Sequence, residues 1–297
     1  MLNEYKNISD ISADLSNEIY RAILDNASDR SVTKLKKSDI TGALYVENSF
    51  NINVNRYFKG LSELNVYYIL YYCRDAKAYN SLMYTIGSDA NSYGDYDDKC
   101  IKIVSGFIDG EISTDFLQTI YHEVNHLYEY DNGRKKKIDL YSEAVKLAMN
   151  NDIDVMMTAR ALYYSFRHER DAFVHQFYGF LKQTNADLPF EDVLNYSEYK
   201  NAKRCYDYVV NNQNNNAVIA TINRLGYGKR DFIKRIKFGL NSFKRKMANA
   251  YLRFKYERFK TDEHSFRMAL KRESERIDEC AEYSTPIKWG VESVFEI

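Results

Sequence analysis

The chain has 297 residues, is 45% apolar, and carries 42 basic against 42 acidic side chains, so its formal charge is zero. That composition supports a real core, excludes a disordered chain, and gives no overall electrostatic argument for nucleic acid or membrane surfaces. The four cysteines, Cys73, Cys100, Cys205 and Cys280, form no Cys-x-x-Cys pair, which argues against a zinc knuckle, a redox dithiol or a disulfide scaffold.

The N-terminus lacks a basic start followed by an apolar run, and the longest apolar stretch, Val66 to Cys73, is too short for a bilayer. The expectation is a cytoplasmic protein with no signal peptide and no membrane span. Residues 1–37 read as helix, with Ile11, Leu15, Ile19 and Ile23 on one face. TGALYV, FNINVN and NVYYILYY, between residues 41 and 72, are rich in β-branched and aromatic residues and read as strands. GSDANSYGDYDD reads as an acidic loop, and KCIKIVSG as another short strand. Asp109-Gly110 then leads into a helix that begins near Ser113 or Thr114 and stops at Asn132-Gly133.

Further helices are expected at 138–150, 153–166 and 167–182, and the presence of only two prolines, Pro189 and Pro286, suits them. Residues 195–216 end in NNQNNN and read as a loop. The chain is mostly helical and basic from Val218 onward. The 27 tyrosines are spread along the whole chain, which favours a composition bias over a tyrosine-built binding surface.

The helix TDFLQTIYHEVNHLYEYDNG carries the chemistry. On a helical wheel, Leu117, Ile120, Val124 and Leu127 share one side, while His122 and His126 stand one turn apart on the other. Two imidazoles so placed can point at one zinc ion. Glu123, beside the first of them, can then reach a metal-held water and take its proton. The competing reading is a solvated polar face that happens to spell this pattern.

His122-Glu123-Val124-Asn125-His126 resembles the HExxH signature of the zincin metallopeptidases. The resemblance covers roughly residues 40 to 182. It implies an α+β zincin-like fold, a small mixed sheet plus the HExxH helix, with a strand before the helix that lines the cleft and pairs with an extended substrate. KCIKIVS is the matching strand here, so the peptide is expected beside residues 101–105.

A catalytic zinc needs a third protein ligand. No His follows His126 before His168. Glu169 is the first candidate. Leu162, Phe166, Phe173 and Phe180 form a stripe, and Glu169 sits inside it, where an unpartnered carboxylate costs several kcal/mol, roughly. A zinc ion would satisfy it, and so would an ion pair with Arg160 or Arg167. Glu169 with Ala172 is also similar to the ExxA pattern of gluzincins, in which the Glu binds zinc. Many such families place Asp or Asn one turn later to orient a ligand His, whereas this chain has Phe173. Glu143, between Leu140 and Leu147, is the rival third ligand. His168, Asp171 and His175 share another face and form either a separate cluster or solvated surface. Tyr163 and Tyr164 lie close enough in sequence to be considered as transition-state donors.

From Arg224 to Lys260 the chain has thirteen Lys or Arg against Asp231 and Glu257. Ile236, Leu240, Phe243, Met247, Ala250 and Phe254 run through it as a heptad-like stripe. It reads as a packed helix with a solvated basic face, or as a contact for nucleic acid or an acidic protein partner. The expected organisation is a zincin-like domain over 1–185, an Asn-rich linker over 186–222 and a basic helical region over 223–297. The expected function is zinc-dependent (Zn2+) hydrolysis of a peptide or protein substrate, with His122, His126 and Glu169 on the metal and Glu123 as base. The alternative is an assembly or nucleic-acid-associated protein that keeps the scaffold with little or no catalysis.

Overall fold

The computed structural model describes residues 8–29, 34–39, 41–58, 60–85, 93–97, 100–113, 115–131, 138–184 and 190–258. The chain divides into two units, 1–135 and 136–297, and the described elements make it a mixed α+β protein.

In the first unit, α1 (Ile8–Ser28) buries Leu15, Ile19 and Ile23, residues four apart on one face. β1 (Lys36–Lys37) leads to β2 (Leu44–Asn53) and β3 (Glu63–Cys73), which pair antiparallel from Leu44↔Tyr72 to Asn53↔Glu63. Successive residues of a strand face opposite ways. Leu64, Val66, Tyr68 and Leu70 therefore enter one core, and Tyr71 enters another on the far face.

β3 and β5 (Cys100–Ile108) run parallel, which demands a crossover. α2 (Ala76–Thr85) and β4 (Tyr93–Asp97) lie within it. β4 occupies the segment expected as an acidic loop. It pairs antiparallel with β5 from Tyr93↔Val104 to Asp97↔Cys100, so the neighbouring ladder overrides a turn-rich composition. The order is β1-β2-β3-β5-β4, with β6 (Glu111–Ile112) paired to the end of β5.

Asp109 (φ 51°) and Gly110 (φ 84°) both have positive φ and close the two-residue hairpin between β5 and β6. Asp-Gly is the pair that suits this primed turn. The hairpin delays α3 (Phe116–Asp131) by two or three residues relative to the expected start. α3 lays Phe116, Ile120, Val124 and Leu127 on the sheet against Val66, Ile101, Ile103 and α1. On the other face, Gly106 is required: a Cβ there would lie 2.6 Å from the buried Tyr79 ring and 2.7 Å from the Tyr71 carbonyl.

The expectation that a peptide lies beside residues 101–105 does not survive this topology. β5 is paired with β3 on one side and, over Cys100–Val104, with β4 on the other. Its backbone groups there are already used.

The second unit is built of α4 (Ile138–Ala148), α5 (Ile153–Tyr163), α6 (Arg167–Thr184), α7 (Phe190–Val193), α8 (Ser197–Asn211), α9 (Asn216–Arg224) and α10 (Lys229–Arg258). Asp152 caps α5 by accepting from the Asp154 and Val155 amides. The Asn-rich linker expected over 186–222 is instead largely helical. α8 buries Tyr199, Ala202, Cys205 and Val209 at three- and four-residue steps, and Asn215 caps α9 by accepting from the Ala217 amide. The asparagines mark a helix end and a helix start, not an open tether.

α10 packs on α6 and α8 and buries Ile236, Phe243, Met247, Ala250 and Phe254 of the expected stripe, with Leu240 half-buried. Its basic residues Arg230, Lys234, Lys237 and Arg245 are exposed. Asn132-Gly133, Cys280 and the segment 285–297 with Trp289 lie outside the described residues. No described helix is long and apolar enough to cross a membrane.

Gly239 in mid-α10 is intrinsically unfavourable by about 1 kcal/mol relative to Ala. A Cβ at Gly239 would lie 2.7 Å from both Cα and Cβ of Ser165, in the turn between α5 and α6. Gly239→Ala therefore lowers stability by about 1–3 kcal/mol through overpacking, measured as a fall in the urea midpoint. A gain in stability would show that the close approach is not a constraint.

Candidate metal centre

Every residue of α3 from Phe116 to Leu127 is buried. The apolar residues meet the sheet, but Gln118, Thr119, His122, Glu123, Asn125 and His126 are out of solvent as well. A solvated polar face is thus the wrong description of this helix. Polar groups in such a setting require partners, because each unsatisfied one costs roughly 1–3 kcal/mol.

His122 and His126 face each other through their Nε2 atoms, 3.1 Å apart, with the rings at 81°. Two imidazoles on one tetrahedral zinc, with bonds near 2.0–2.1 Å, place their nitrogens about 3.3 Å apart. Without a cation, the same approach is a hydrogen bond in which one ring donates to the other. Glu123 follows His122 directly and is 5% exposed.

Glu169 stands in the first turn of α6, where the positive end of the helix favours a carboxylate, and it has no solvent exposure. Tyr141 of α4 donates its hydroxyl to Oε1 at 2.7 Å, and Tyr163, the last residue of α5, donates to Oε2 at 2.6 Å. His168 Nε2 lies 3.3 Å from Oε1. The two arginines considered as its ion-pair partners are directed elsewhere: Arg160 donates to the Ala148 carbonyl, and Arg167 pairs with Asp171 at 3.6 Å. His122, His126 and Glu169 form a buried group whose ligand atoms all lie within 4.8 Å of one another, a set able to hold a metal ion.

Other expectations change. Glu143 is a third exposed and pairs with Arg224 at 2.6 Å, so it lies outside that group. His168, Asp171 and His175 do not form a second cluster: His168 turns to Glu169, Asp171 pairs with Lys246 and Arg167, and His175 Nδ1 meets the Asp171 carbonyl at 2.7 Å. Tyr163 and Tyr164 are not spare donors either. Tyr163 is engaged with Glu169, and Tyr164 donates to Glu198 at 3.1 Å. Burial first, and then the charge of the adjacent carboxylate, holds each phenol well above its ordinary pKa, so both remain donors.

Phe173, where an orienting Asp or Asn was looked for, is in the core with Phe243, and Ala172 is buried. Tyr141 was not singled out by sequence reasoning. One tyrosine among 27, with no distinctive spacing, carries no visible signal.

No family model, curated protein or solved structure matches the chain.

The assignment separates the two glutamates. If the buried group holds a metal, purified His126→Ala and Glu169→Ala proteins are expected to lose it, whereas Glu143→Gln keeps the wild-type content, as read by elemental analysis per chain. Zinc lost from Glu143→Gln and kept in Glu169→Ala would reverse the assignment.

Proposed function

We propose that the protein is a zinc-dependent peptidase of the zincin type, with His122, His126 and Glu169 as metal ligands and Glu123 as general base. The observation that supports it most is the buried group of two imidazoles and a carboxylate, with Glu123 next to the first imidazole on the same buried helix. The donor set suits zinc, which takes neutral nitrogen and carboxylate oxygen in catalytic sites and keeps a position open. Zinc held by His122, His126 and Glu169 would polarise a carbonyl and lower the pKa of a bound water to about 7.

The side chains of this protein do the rest. Glu123 accepts the proton that the water gives up as its oxygen attacks the peptide carbonyl. It then delivers that proton to the nitrogen as the C–N bond breaks, leaving an amine and a carboxylic acid that releases its own proton to water. Exclusion of solvent around α3 strengthens these interactions, because the local dielectric is low. The packing of Ile120 and Val124 against Ile101 and Ile103 fixes the helix that carries three of the four residues.

An extended peptide is best placed along β4, the last strand of the sheet among the described residues, since β5 is paired on both sides. Addition of a strand to such an edge uses main-chain hydrogen bonds and leaves specificity to side-chain pockets.

A second reading keeps the scaffold and removes the chemistry. It is favoured by the exposed face of α10, where Arg230, Lys234, Lys237 and Arg245 surround Phe238, itself 64% exposed. Nucleic acid or an acidic protein would suit that face. The presence of Glu123 favours the enzyme.

Glu123→Gln distinguishes the readings. The peptidase reading expects zinc content to be unchanged and hydrolysis of an unstructured protein substrate to fall by about 10²–10⁴-fold. If the wild type shows no hydrolysis that this substitution removes, the binding reading stands.

A further inference from the structure

We infer that Tyr141 and Tyr163 are positioning residues for the metal: their two phenols clamp the Glu169 carboxylate, one on each oxygen, and set its orientation for ligation. This rests on the metal reading above and assigns the support that Phe173 does not provide.

The clamp comes from three helices of the second unit. α4 supplies Tyr141, the C-terminal residue of α5 supplies Tyr163, and the first turn of α6 supplies Glu169. The hydroxyl distances of 2.7 and 2.6 Å are those of well-made O–H···O hydrogen bonds. A carboxylate has about four lone-pair positions, two on each oxygen. One phenol on each oxygen takes two of the four, one at either end of the group. Two donors at opposite ends of the group also fix its rotation, which a single donor does not.

The choice of phenols has a chemical consequence. An Arg or Lys partner would neutralise Glu169 and compete with a metal for it. A phenol is a neutral donor and brings no cation of its own to the site. The rings are themselves held. Tyr141 stacks edge-on against Phe166 and His168, with centroids 5.5 and 4.7 Å away, and Tyr163 meets Phe173 at 6.2 Å. Phe173 thus orients a carboxylate ligand indirectly, by packing the tyrosine that binds it.

Tyr→Phe removes each hydroxyl and keeps each ring. The test is a double-mutant cycle on the zinc dissociation constant, measured by competition with a chromophoric chelator. The proteins are wild type, Tyr141→Phe, Tyr163→Phe, the double Phe variant, and the same set in a Glu169→Gln background. The double Phe variant is expected to bind zinc about 10–100-fold more weakly than wild type, with unchanged stoichiometry. In the Glu169→Gln background the same changes are expected to have no effect, because the hydroxyls act through that carboxylate.

Thermal melts of the metal-free proteins identify any variant that does not fold, and the remaining single Phe variant then carries the cycle. If affinity is unchanged in the Phe variants while His122→Ala abolishes binding, the clamp is wrong and the metal site stands. If affinity falls equally in both backgrounds, the tyrosines serve only the fold and the inference is overturned. If wild type binds no zinc, both the inference and the metal reading fail.

Discussion

Two imidazoles and a carboxylate held away from water are the constraint on which the rest of this protein depends. Each is costly when buried alone, and a lone carboxylate most of all. The histidines lie on α3, which is buried on every side from Phe116 to Leu127. Glu169 has no exposure at all. On the proposed reading, a divalent cation would be their common partner. The fold around them reads as the means of keeping them fixed: α3 is seated on the sheet by Ile120 and Val124, and α6 is held near its start by the close approach of Gly239 to Ser165.

Charge is treated differently at the two glutamates that competed for the role of ligand. Glu143 meets a guanidinium at the surface, where the pair contributes about 0–1 kcal/mol and the carboxylate is spoken for. Glu169 meets two tyrosine hydroxyls in the interior. Burial and partner chemistry together distinguish the two carboxylates. Neither property is visible in spacing alone, since both residues interrupt an apolar pattern.

Much of the fold was legible from periodicity. The strands at 63–73 and 100–108 and the helices at 116–131, 138–148, 153–163 and 167–184 lie within a few residues of their expected places, while TGALYV and FNINVN, expected as separate strands, contribute to the single strand β2. What failed has a physical cause in each case. β4 is a strand because β5 supplies its ladder, although Tyr-Gly-Asp-Tyr-Asp has little strand character of its own. Residues 195–216 read as a loop because Asn favours turns, yet most of them form α8, and the asparagines at its end lead into the cap of α9.

The HExxH spacing placed His122 and His126 on one helix face, and the interrupted stripe pointed to Glu169. Tyr141 stayed hidden because its contact with Glu169 spans 28 residues and depends on how α4 meets α6. Pairings of that kind are set by tertiary packing.

The most direct test is X-ray absorption at the zinc edge on purified protein, with metal content quantified on the same sample. One zinc per chain is predicted, with a first shell of nitrogen and oxygen at about 2.0–2.1 Å and the outer-shell scattering of two imidazoles. Substoichiometric metal, a sulfur shell near 2.3 Å, or a spectrum unchanged when His122 and His126 are both replaced would contradict the account.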